Sequence, residues 1–599
     1  MNITEVLSML TKSMFDGLYY ILKHQNGEKP LSQRSVAQGM DKSLGSVNAL
    51  IKELSAAGYI DGKMAVTPAG IEALAPHKVD NAVIMAAGMS TRFAPLSYEK
   101  PKALLKVKGE ILIEREILQL KSAGIDDITV VVGYMKEKLF YLEEKFGVKI
   151  VVNENYHLYN NPSTLMLVKE KLKNTYICSS DNYFEFNPFE QYVYRAYYSA
   201  MYSEGKTDEY CLTTDSKGRI TKVSFGGQDA WYMIGHVYYD RKFSETFTKI
   251  LEKEYDSLIT RTGLWEDLYA RHITELEMYI KKYDGGIREF DSLDELRTFD
   301  SEYITNTDSF IFDNICSVLK CRPENIENII PIKTGLTNLS FKFSCNGKQY
   351  VYRHPGVGTD VYINRRAEAE AMDAAKELGL DDTFIYIDKT KGWKISHYIE
   401  DAATLDYHNA EQVRQAMKML RQLHTSGISV SGKFDIWEKI NDFYAKLDGS
   451  DTSDFTGMEE LRETMNSINE YLKKENSTPC LCHCDSYDPN FLLDRQGKMY
   501  LIDWEYAGMS DPGSDIGTFI ACSDYTVEQA EKVIEIYLDR KPTPEERRHY
   551  IGYVALLAYF WFLWALYQEK CAKHTGEYLY IWYKYSKQYG KLALDLYKN

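Results

Sequence analysis

The sequence has little of what marks exported, membrane-spanning or nucleic-acid-binding proteins. Its first residues, MNITEVLSML, lack the basic and then apolar pattern of a signal peptide. Ten cysteines without such a signal predict reduced thiols in a cytoplasmic protein. The chain has 71 Lys and Arg residues and 87 Asp and Glu residues, which gives a net charge of −16. This negative charge argues against bulk nucleic-acid binding. The longest apolar run, residues 551–567, is marginal for a membrane span and predicts a buried helix without membrane insertion.

The length and composition predict several globular domains. The chain has 599 residues, of which 44% are hydrophobic and 26% charged. Shifts in its patterns divide it into residues 1–78, 79–304 and 305–599. We expect a multidomain chain of the α/β and α+β classes, and its oligomeric state, monomer or homodimer, stays open.

Residues 1–78 are predicted to form a winged helix-turn-helix domain. Short helices open at Leu31 and at Ser43, the second ends at Gly58, and a hairpin-like stretch follows. This order resembles the winged helix of bacterial regulators. Its cations are balanced by acids, whereas phosphate contacts need a surplus of cations. DNA binding therefore stays open beside a dimerisation or docking role.

Residues 82–105 carry the strongest motif of the second domain. An apolar run predicts a buried parallel strand, which breaks into a turn of small residues. Backbone N–H groups of this turn can approach polyphosphate closely because Gly88 has no side chain. The cations Arg92 and Lys102 suit attack at a nucleotide α-phosphate, where negative charge must be neutralised. The turn residues predicted to bind nucleotide are Ala87, Gly88, Ser90 and Thr91.

The turn, Arg92, Pro95 and the pair Pro101-Lys102 together resemble the signature of sugar-nucleotide pyrophosphorylase-type nucleotidyltransferases. The resemblance implies a Rossmann-like, doubly wound mixed sheet over residues 79–304. It also implies that a polar loop, with a helix starting at Ser163, holds the nucleotide. The loop residues concerned are Asn160, Asn161 and Ser163.

Three carboxylates of the second domain are predicted to hold Mg²⁺. Asp181 ends an apolar strand, which is where α/β folds place ligand chemistry, and Mg²⁺ prefers carboxylate oxygens. Glu289 and Asp291 share one side of an extended segment. Their position after the last helix resembles the Glu-x-Asp pair of phosphocholine cytidylyltransferases, which implies that both bind the metal. Trp265 is a candidate face for a quaternary ammonium, although buried aromatic residues usually belong to the core.

The third domain contains His483-x-Asp485 and Asn490, followed by a strand that ends in Asp503. This pattern is that of the catalytic core of the kinase superfold. A hydroxyl group is a poor nucleophile, so Asp485 is predicted to accept its proton, and Asn490 and Asp503 to hold Mg²⁺ on ATP. Asp503-Trp504-Glu505 in place of Asp-Phe-Gly resembles the aminoglycoside and choline kinase branch, and Glu505 is predicted to contact substrate.

Residues closer to the start of the third domain are predicted to bind ATP. Arg353 lies where protein kinases carry a phosphate-binding Lys, and choline kinase-type enzymes resemble this chain in using Arg there. Glu368 on the following helix is its predicted ion-pair partner. A loop with one glycine could fold over the phosphates. Its predicted contacts are Gly335, Thr337 and Asn338.

The C-terminal helices are predicted to select the substrate. Trp561 and Trp564 share one helix face and resemble the Trp-x-x-Trp element of choline kinases. Two indole faces suit a trimethylammonium group, which cannot be hydrogen-bonded. The alternative is a plain core helix.

Cys480, Cys482 and Cys484 alternate next to the kinase motif. Three thiols at close spacing could hold zinc. Period-two spacing on a strand more simply predicts a buried face, so no zinc is predicted.

The two resemblances imply reactions that share an intermediate. A choline kinase would make phosphocholine from choline and ATP, and a phosphocholine cytidylyltransferase would make CDP-choline and pyrophosphate from it and CTP, for the decoration of cell-surface polymers. Three alternatives stay open. They are the same chemistries on ethanolamine or 2-aminoethylphosphonate, uridylyl transfer to a sugar phosphate with an aminoglycoside-type kinase, and a metabolite-sensing DNA-binding regulator.

Overall fold

The computed structural model describes residues 10–27, 30–290, 292–304, 309–332, 338–356, 363–447, 452, 454–475, 477–570 and 575–598. The chain forms two compact units, Met1–Ser309 and Phe310–Asn599. The division lies close to the predicted start of the third domain at residue 305. The first unit contains both the predicted winged helix and the predicted nucleotidyltransferase.

In the described residues, the first unit begins with four capped helices. In each, a Ser or Thr hydroxyl accepts a hydrogen bond from a first-turn amide, which satisfies one of the free N–H groups of a helix start. Between the third and fourth helices, a single antiparallel bridge joins Ile60 and Val66. The helices are α1 (Lys12–His24), α2 (Gln33–Gly39), α3 (Leu44–Ala56) and α4 (Pro68–Leu74).

Helix α1 packs against the segment that follows residue 189 in the same unit. The Tyr19 hydroxyl donates to Glu190 Oε2 at 2.7 Å, and Lys23 Nζ lies 2.9 Å from the same oxygen. The rings of Phe15 and Tyr194 lie 5.4 Å apart. These contacts join the N-terminal helices to the larger part of the unit.

A mixed seven-stranded sheet organises the rest of the first unit, in the order β10-β8-β9-β6-β1-β4-β5. Strand β1 is parallel to β4 and β6, whereas β9 is antiparallel to β6 and β8. Val83 and Ile84 of β1 are both fully buried and belong to the cores on opposite faces of the sheet. Helices therefore cover both faces, which explains the continuous apolar run. The strands are β1 (Asn81–Ala86), β4 (Ile128–Val132), β5 (Lys149–Val152), β6 (Thr175–Ser179), β8 (Tyr197–Thr214), β9 (Ile220–Tyr239) and β10 (Tyr279–Tyr283).

Two short strand pairs and seven helices complete this unit. The pairs are β2 (Lys106–Val107) with β3 (Glu110–Ile111), and β7 (Asn182–Phe184) with β11 (Ile287–Glu289). The helices are α5 (Leu112–Ser122), α6 (Tyr141–Phe146), α7 (Asn161–Leu167), α8 (Arg241–Glu254), α9 (Leu258–Thr262), α10 (Trp265–Arg271) and α11 (Leu293–Phe299).

The second unit has a five-stranded antiparallel sheet and a larger helical part. The sheet order is β12-β13-β14-β16-β15. Its strands are β12 (Ile326–Ile332), β13 (Leu339–Cys345), β14 (Lys348–His354), β15 (Phe384–Ile387) and β16 (Lys394–His397), and helices α12 (Phe310–Leu319) and α13 (Arg365–Glu377) accompany them.

Short strands in the helical part of the second unit flank the motif residues. The strands are β17 (Ala403–Thr404), β18 (Cys480–Cys482), β19 (Phe491–Leu493), β20 (Met499–Leu501) and β21 (Gly508–Ser510). They form a three-stranded sheet, β17-β19-β20, and a pair, β18-β21. The helices are α14 (Ala410–His424), α15 (Ile436–Lys446), α16 (Met458–Leu472), α17 (Gly513–Ala521), α18 (Val527–Leu538), α19 (Pro544–Lys570) and α20 (Tyr578–Lys598).

Helix α19 contains the longest apolar run. It is long and apolar enough to cross a membrane, but 89% of its most apolar stretch is buried inside the protein. The prediction of a buried helix is confirmed.

Candidate active sites

A cavity of about 210 Å³ lies at the carboxyl ends of β1 and β6 in the first unit. Its wall includes Gly88 and Ser90 of the small-residue turn, together with Lys102 and Asp181. A Cβ atom on Gly88 would meet no atom within 4 Å, so the backbone of the turn is open on this side. Such a turn leaves room for phosphate oxygens to approach backbone N–H groups.

Lys102 and Asp181 form a buried ion pair at this cavity. The Lys102 ammonium lies 2.7 Å from Asp181 Oδ2, and the Ser179 hydroxyl donates to Asp181 Oδ1 at 2.6 Å. Burial alone would raise the pKa of Asp181, but the charge of Lys102 and these hydrogen bonds hold it below its usual value. The site therefore keeps both a fixed cation and an ionised carboxylate.

The polar loop is placed at the same cavity, whose wall includes Asn160 and Asn161. The helix begins at Asn161, before the predicted start at Ser163, because the Asn160 side chain caps it and Pro162 fits its first turn. Ser163 is buried and accepts a hydrogen bond from Asn153 at 3.0 Å. Asn160 and Asn161 thus reach the cavity, whereas Ser163 supports the loop from below.

The strand pairing brings a second carboxylate towards Asp181. Glu289 lies directly opposite Asn182, the next residue after Asp181 in the chain. Two carboxylates on neighbouring segments fit the oxygen ligands that Mg²⁺ prefers. Asp291, the third predicted ligand, lies outside the described residues, as does the side chain of Thr91. Arg92 is exposed on the turn after the cavity wall and is not among the residues that line the cavity, so its catalytic role stays a prediction.

The structure also corrects the role expected for Trp265. Its side chain is 1% exposed and stacks on Tyr198 at 5.7 Å between ring centroids. It is a core residue, because neighbouring rings cover its faces. The next residue, Glu266, accepts hydrogen bonds from the Tyr198 hydroxyl at 3.0 Å and from Asn161 Nδ2 at 3.4 Å. Burial raises the pKa of Glu266 to about 7.

A second buried carboxyl group was missed. Glu116 on α5 is 1% exposed, and burial, followed by the negative charge of Asp181, raises its pKa well above the usual value. A signal was present, since Glu116 lies within the apolar stripe of α5 formed by Ile113, Ile117 and Leu120.

The predicted kinase motif converges on one point of the second unit. Asn490 Nδ2 donates to Asp485 Oδ2 at 2.9 Å. Burial, and then the charges of Asp503 and Glu505, raise the pKa of Asp485 well above its usual value. Because Asn490 Nδ2 is engaged with Asp485, its Oδ1 is the atom that can bind a cation. A basic carboxylate and the oxygens of Asn490 and Asp503 are thus brought together.

The ion pair predicted between Arg353 and Glu368 is confirmed. Arg353 also donates to Asp503 Oδ1 at 3.0 Å. Lys394 Nζ, which the motif analysis missed, lies 3.3 Å from the same oxygen. Burial alone would raise the pKa of Asp503, but Lys394 and Arg353 lower it to about 2. Two cations therefore surround the strand-end carboxylate.

Glu505 belongs to this ion network. Its Oε2 accepts from Asn338 Nδ2 at 2.8 Å and lies 3.5 Å from Arg353 and 3.8 Å from Arg365. Both arginines also pair with Glu368, so Glu505 shares its cations, and its role as a substrate contact stays a prediction. Gly335 and Thr337 lie outside the described residues.

Asp515 holds the catalytic loop and was also missed. It is fully buried and accepts hydrogen bonds from the amides of His483 at 2.8 Å and Cys484 at 2.6 Å, and from His424 Nε2 at 2.8 Å. Cys484 has a positive φ of 64°, a conformation that costs about 1–3 kcal/mol outside glycine. Asp515 therefore fixes a strained turn directly before Asp485.

The predicted tryptophans form an aromatic cluster with two residues of α20. Trp561 and Trp564 are 4% and 5% exposed, and their rings lie 5.6 Å apart at 80°. Trp582 stacks on Trp561 at 5.8 Å, and Tyr578 stacks on Trp582 at 5.1 Å. The cluster brings together the edges and faces of several rings. The predicted binding of a trimethylammonium group by Trp561 and Trp564 stays a prediction.

The alternating cysteines lie beside a histidine. Ligand atoms of His424, Cys480 and Cys482 lie within 4.8 Å of one another. Both ring nitrogens of His424 are engaged, one with Asp515 and one with Tyr537, each at 2.8 Å. Cys482 Sγ donates to backbone carbonyl groups. The protein itself satisfies this cluster, which fits the buried face expected for the strand.

Comparison with known proteins assigns each unit to a class. Residues 329–557 match the family model of choline/ethanolamine kinases, and residues 82–174 match that of the MobA-like NTP transferase domain.

Over 217 residues the chain is 36% identical to the choline-phosphate cytidylyltransferase of Streptococcus pneumoniae, with 36% of this chain and 95% of the relative covered. It is 34% identical over 229 residues to the 2-aminoethylphosphonate cytidylyltransferase of Lancefieldella rimae, with coverages of 37% and 93%. The crystal structure of choline kinase LicA from Streptococcus pneumoniae aligns with a TM-score of 0.42 and 26% identity, covering 48% of this chain and 99% of that chain.

Proposed function

Through its nucleotidyltransferase part the chain belongs to the family of choline-phosphate cytidylyltransferases, and we propose that it is a bifunctional transferase that makes CDP-choline. The second unit phosphorylates choline with ATP. The first unit transfers CMP from CTP to the phosphocholine formed and releases pyrophosphate. The product supplies phosphocholine for surface polymers.

The proposal depends on one observation, which is that a single chain carries two sites whose reactions share an intermediate. In the first unit, Lys102 and Asp181 face a cavity at the ends of parallel strands. In the second unit, Asp485 and Asn490 are hydrogen-bonded next to Asp503. One chain with both sites keeps the intermediate at a high local concentration.

Cytidylyl transfer needs no protein base. A phosphomonoester, with a second pKa of about 6, is largely ionised near neutral pH. Its oxygen attacks the α-phosphorus of CTP, a new P–O bond forms, and the bond to the β-phosphate oxygen breaks as pyrophosphate leaves. Lys102 neutralises charge on the α-phosphate, and the turn at Gly88 aligns it. Asp181 and Glu289 would hold Mg²⁺, which supplies further positive charge on the phosphates.

Phosphorylation of choline does need a base. Asp485 accepts the hydroxyl proton as the alcohol oxygen attacks the γ-phosphorus of ATP, and ADP leaves. Arg353 lies where it can neutralise phosphate charge, and Glu368 fixes its orientation. Asn490 and Asp503 would hold Mg²⁺, which draws electron density from the phosphates when bound.

Phosphorus NMR of the full chain with choline, ATP, CTP and Mg²⁺ tests both activities. We expect phosphocholine first, and then the two coupled diphosphate signals of CDP-choline with free pyrophosphate. Phosphocholine without CDP-choline would remove the transferase part of the proposal. No consumption of either nucleotide would remove both parts.

A second candidate substrate for the transferase is 2-aminoethylphosphonate, the compound for which the Lancefieldella rimae relative is named. The observation in its favour is Glu266, a buried carboxyl group bonded to Asn161 on the cavity wall. A primary ammonium can donate hydrogen bonds to such a group, whereas a trimethylammonium cannot. Initial rates with phosphocholine and 2-aminoethylphosphonate at equal concentrations decide which compound the site prefers.

We infer a docking role for the N-terminal helices, which we assign as a winged helix. Tyr19 and Lys23 of α1 are bonded to Glu190 of the transferase part. On α3, the exposed Lys52 is matched by the exposed Glu53, so this face lacks the surplus of cations that phosphates need. Electrophoretic mobility of duplex DNA should be unchanged by the full chain at 100-fold excess, and a salt-sensitive shift would overturn the inference.

A further inference from the structure

The aromatic cluster of the second unit contains a carboxylate that the kinase reaction does not use. Asp488 is half-buried in the turn between Asp485 and Asn490. Its amide donates to the Tyr407 hydroxyl at 3.0 Å, and its Oδ1 accepts from the Tyr578 hydroxyl at 3.3 Å. Asp488 therefore lies on the same turn as the catalytic base and touches the aromatic cluster.

The charge of Asp488 is not balanced by the part of the chain that the structure describes. Within those residues, no Lys, Arg or His forms an ion pair with it. A charge in such surroundings is stabilised when a cation arrives from outside.

Glu505, the predicted substrate contact, is held in a buried ion network. Glu505 lies 3.5 Å from Arg353 and 3.8 Å from Arg365 and is bonded to Asn338. Asp488 has no such partners among the described residues. Of these two acids, Asp488 is the one that touches the aromatic cluster.

The aromatic cluster lies next to Asp488. Tyr578, bonded to Asp488, stacks on Trp582 at 5.1 Å, and Trp582 stacks on Trp561 at 5.8 Å. Aromatic faces carry negative potential and attract cations that cannot be hydrogen-bonded. A quaternary ammonium cannot donate a hydrogen bond, but it feels the field of a carboxylate at several ångströms in a poorly hydrated site.

We propose that Asp488 is the specificity-determining residue that balances the cationic head of the acceptor alcohol, while Asp485 takes the proton of its hydroxyl. The proposal depends on the kinase part of the proposed function. Both carboxylates lie on one turn. A substrate whose hydroxyl reaches Asp485 can therefore place its cationic head near Asp488. A neutral alcohol of the same shape lacks the charge that Asp488 needs.

The test compares choline with 3,3-dimethylbutan-1-ol, in which carbon replaces the nitrogen. Rates of ADP formation are measured for the full-length wild type, Asp488→Asn, Asp488→Glu and the exposed control Asp524→Asn. We expect Asp488→Asn to lower kcat/KM for choline about tenfold or more and to change that for the neutral alcohol less than about twofold. Asp488→Glu keeps the charge and should retain most of the preference for choline.

Equal losses for both alcohols in Asp488→Asn, or no loss for choline, would overturn the proposal. Calorimetric titration with tetramethylammonium separates it from the kinase proposal, because this cation has the head group without a hydroxyl and needs no turnover. If the wild type binds tetramethylammonium at least about tenfold more tightly than Asp488→Asn does, the result supports the role of Asp488, even if choline is not phosphorylated. Equal affinity, or no binding by the wild type, overturns the assignment, and Tyr578→Phe provides a second variant with the carboxylate intact.

Discussion

Arg353 and Lys394 lie directly opposite each other on the antiparallel strands β14 and β16, and both donate to Oδ1 of Asp503, at 3.0 and 3.3 Å. This pairing places two cations against one carboxylate at the centre of the kinase site. It keeps Asp503 ionised, because the two charges lower its pKa to about 2 despite its burial.

Replacing Lys394 by Met should weaken ATP binding. A hydrogen bond to a charged group contributes about 1.5–3 kcal/mol, so we expect KM for ATP to rise on the order of tenfold or more. Initial rates of ADP formation at saturating choline measure this. Lys584→Met, which removes a cation from an exposed ion pair, is the control. An unchanged KM for ATP would show that Lys394 has no part in the site.

Replacing Lys102 by Met should stop cytidylyl transfer and spare the kinase. Loss of a fixed positive group at a developing charge costs about 10²–10³ in kcat. Release of pyrophosphate from CTP and phosphocholine measures the loss, and ADP formation from choline should stay at the wild-type rate. Lys149→Met, from the exposed pair with Asp127, should leave both reactions intact. Retention of transfer in Lys102→Met would remove this residue from the mechanism.

Replacing Asp485 by Asn should lower kcat of the kinase reaction by about 10²–10⁴, because the base is lost, and should leave cytidylyl transfer unchanged. In the wild type the base must be unprotonated, and its pKa lies well above the usual value for Asp. Kinase kcat/KM should therefore fall as the pH falls through that raised pKa, while transfer follows a different profile. Identical acid limbs for the two reactions would contradict this.

Replacing Asp515 by Asn should lower both the kinase kcat and the stability of the second unit. The amides of His483 and Cys484 donate to different oxygens of Asp515, so the single oxygen of Asn can accept from only one of them, and an unsatisfied buried donor costs about 1–3 kcal/mol. We expect a fall in kcat with little change in KM, together with a lower Tm for this unit by calorimetry. A lower Tm with an unchanged kcat would limit Asp515 to a structural role.

The pH dependence of stability should depend on His549. Its two nitrogens lie 2.6 Å from Glu475 and 3.0 Å from Asp511. Burial alone would lower the pKa of His549, but these carboxylates raise it to about 9. An ordinary His has a pKa of about 6.5, so the stabilisation, on the order of 3 kcal/mol, is complete below pH ~6.5 and is lost as the pH rises to about 9.

Calorimetry of the full chain and of His549→Asn checks this. The variant should melt at a lower temperature at pH 6 and at nearly the same temperature as wild type at pH 9.5. An equal gap at both pH values would mean that protonation of His549 does not contribute.

The motifs located both sites because their residues are close together in the chain. Asp485 and Asn490 are separated by a short turn, and residues 82–105 hold the strand, the turn and Lys102 in one stretch. Local geometry follows from local sequence in such segments. The buried α19 and the ion pair of Arg353 with Glu368 were also predictable, because they follow from hydrophobicity and from charge on adjacent elements.

Other residues could not be assigned in this way. Lys394 reaches Asp503 only through the register of β14 with β16, and Glu289 approaches Asp181 only through the pairing of β11 with β7. Trp265 stacks on Tyr198, which is distant in the chain, so its place in the core could not be assigned from local sequence.

The two chemistries could be predicted from the sequence, since the base, the phosphate-binding cations and the predicted metal ligands lie in short motifs whose spacing is set by turns and strands. The charges around each of these groups follow from the tertiary structure. Glu505 lies in an ion network with arginines from β14 and α13, whereas Asp488 contacts the aromatic cluster through Tyr578 of α20. The physical reason is that the state of a carboxylate depends on the charges and the solvent around it, which come from residues distant in the chain.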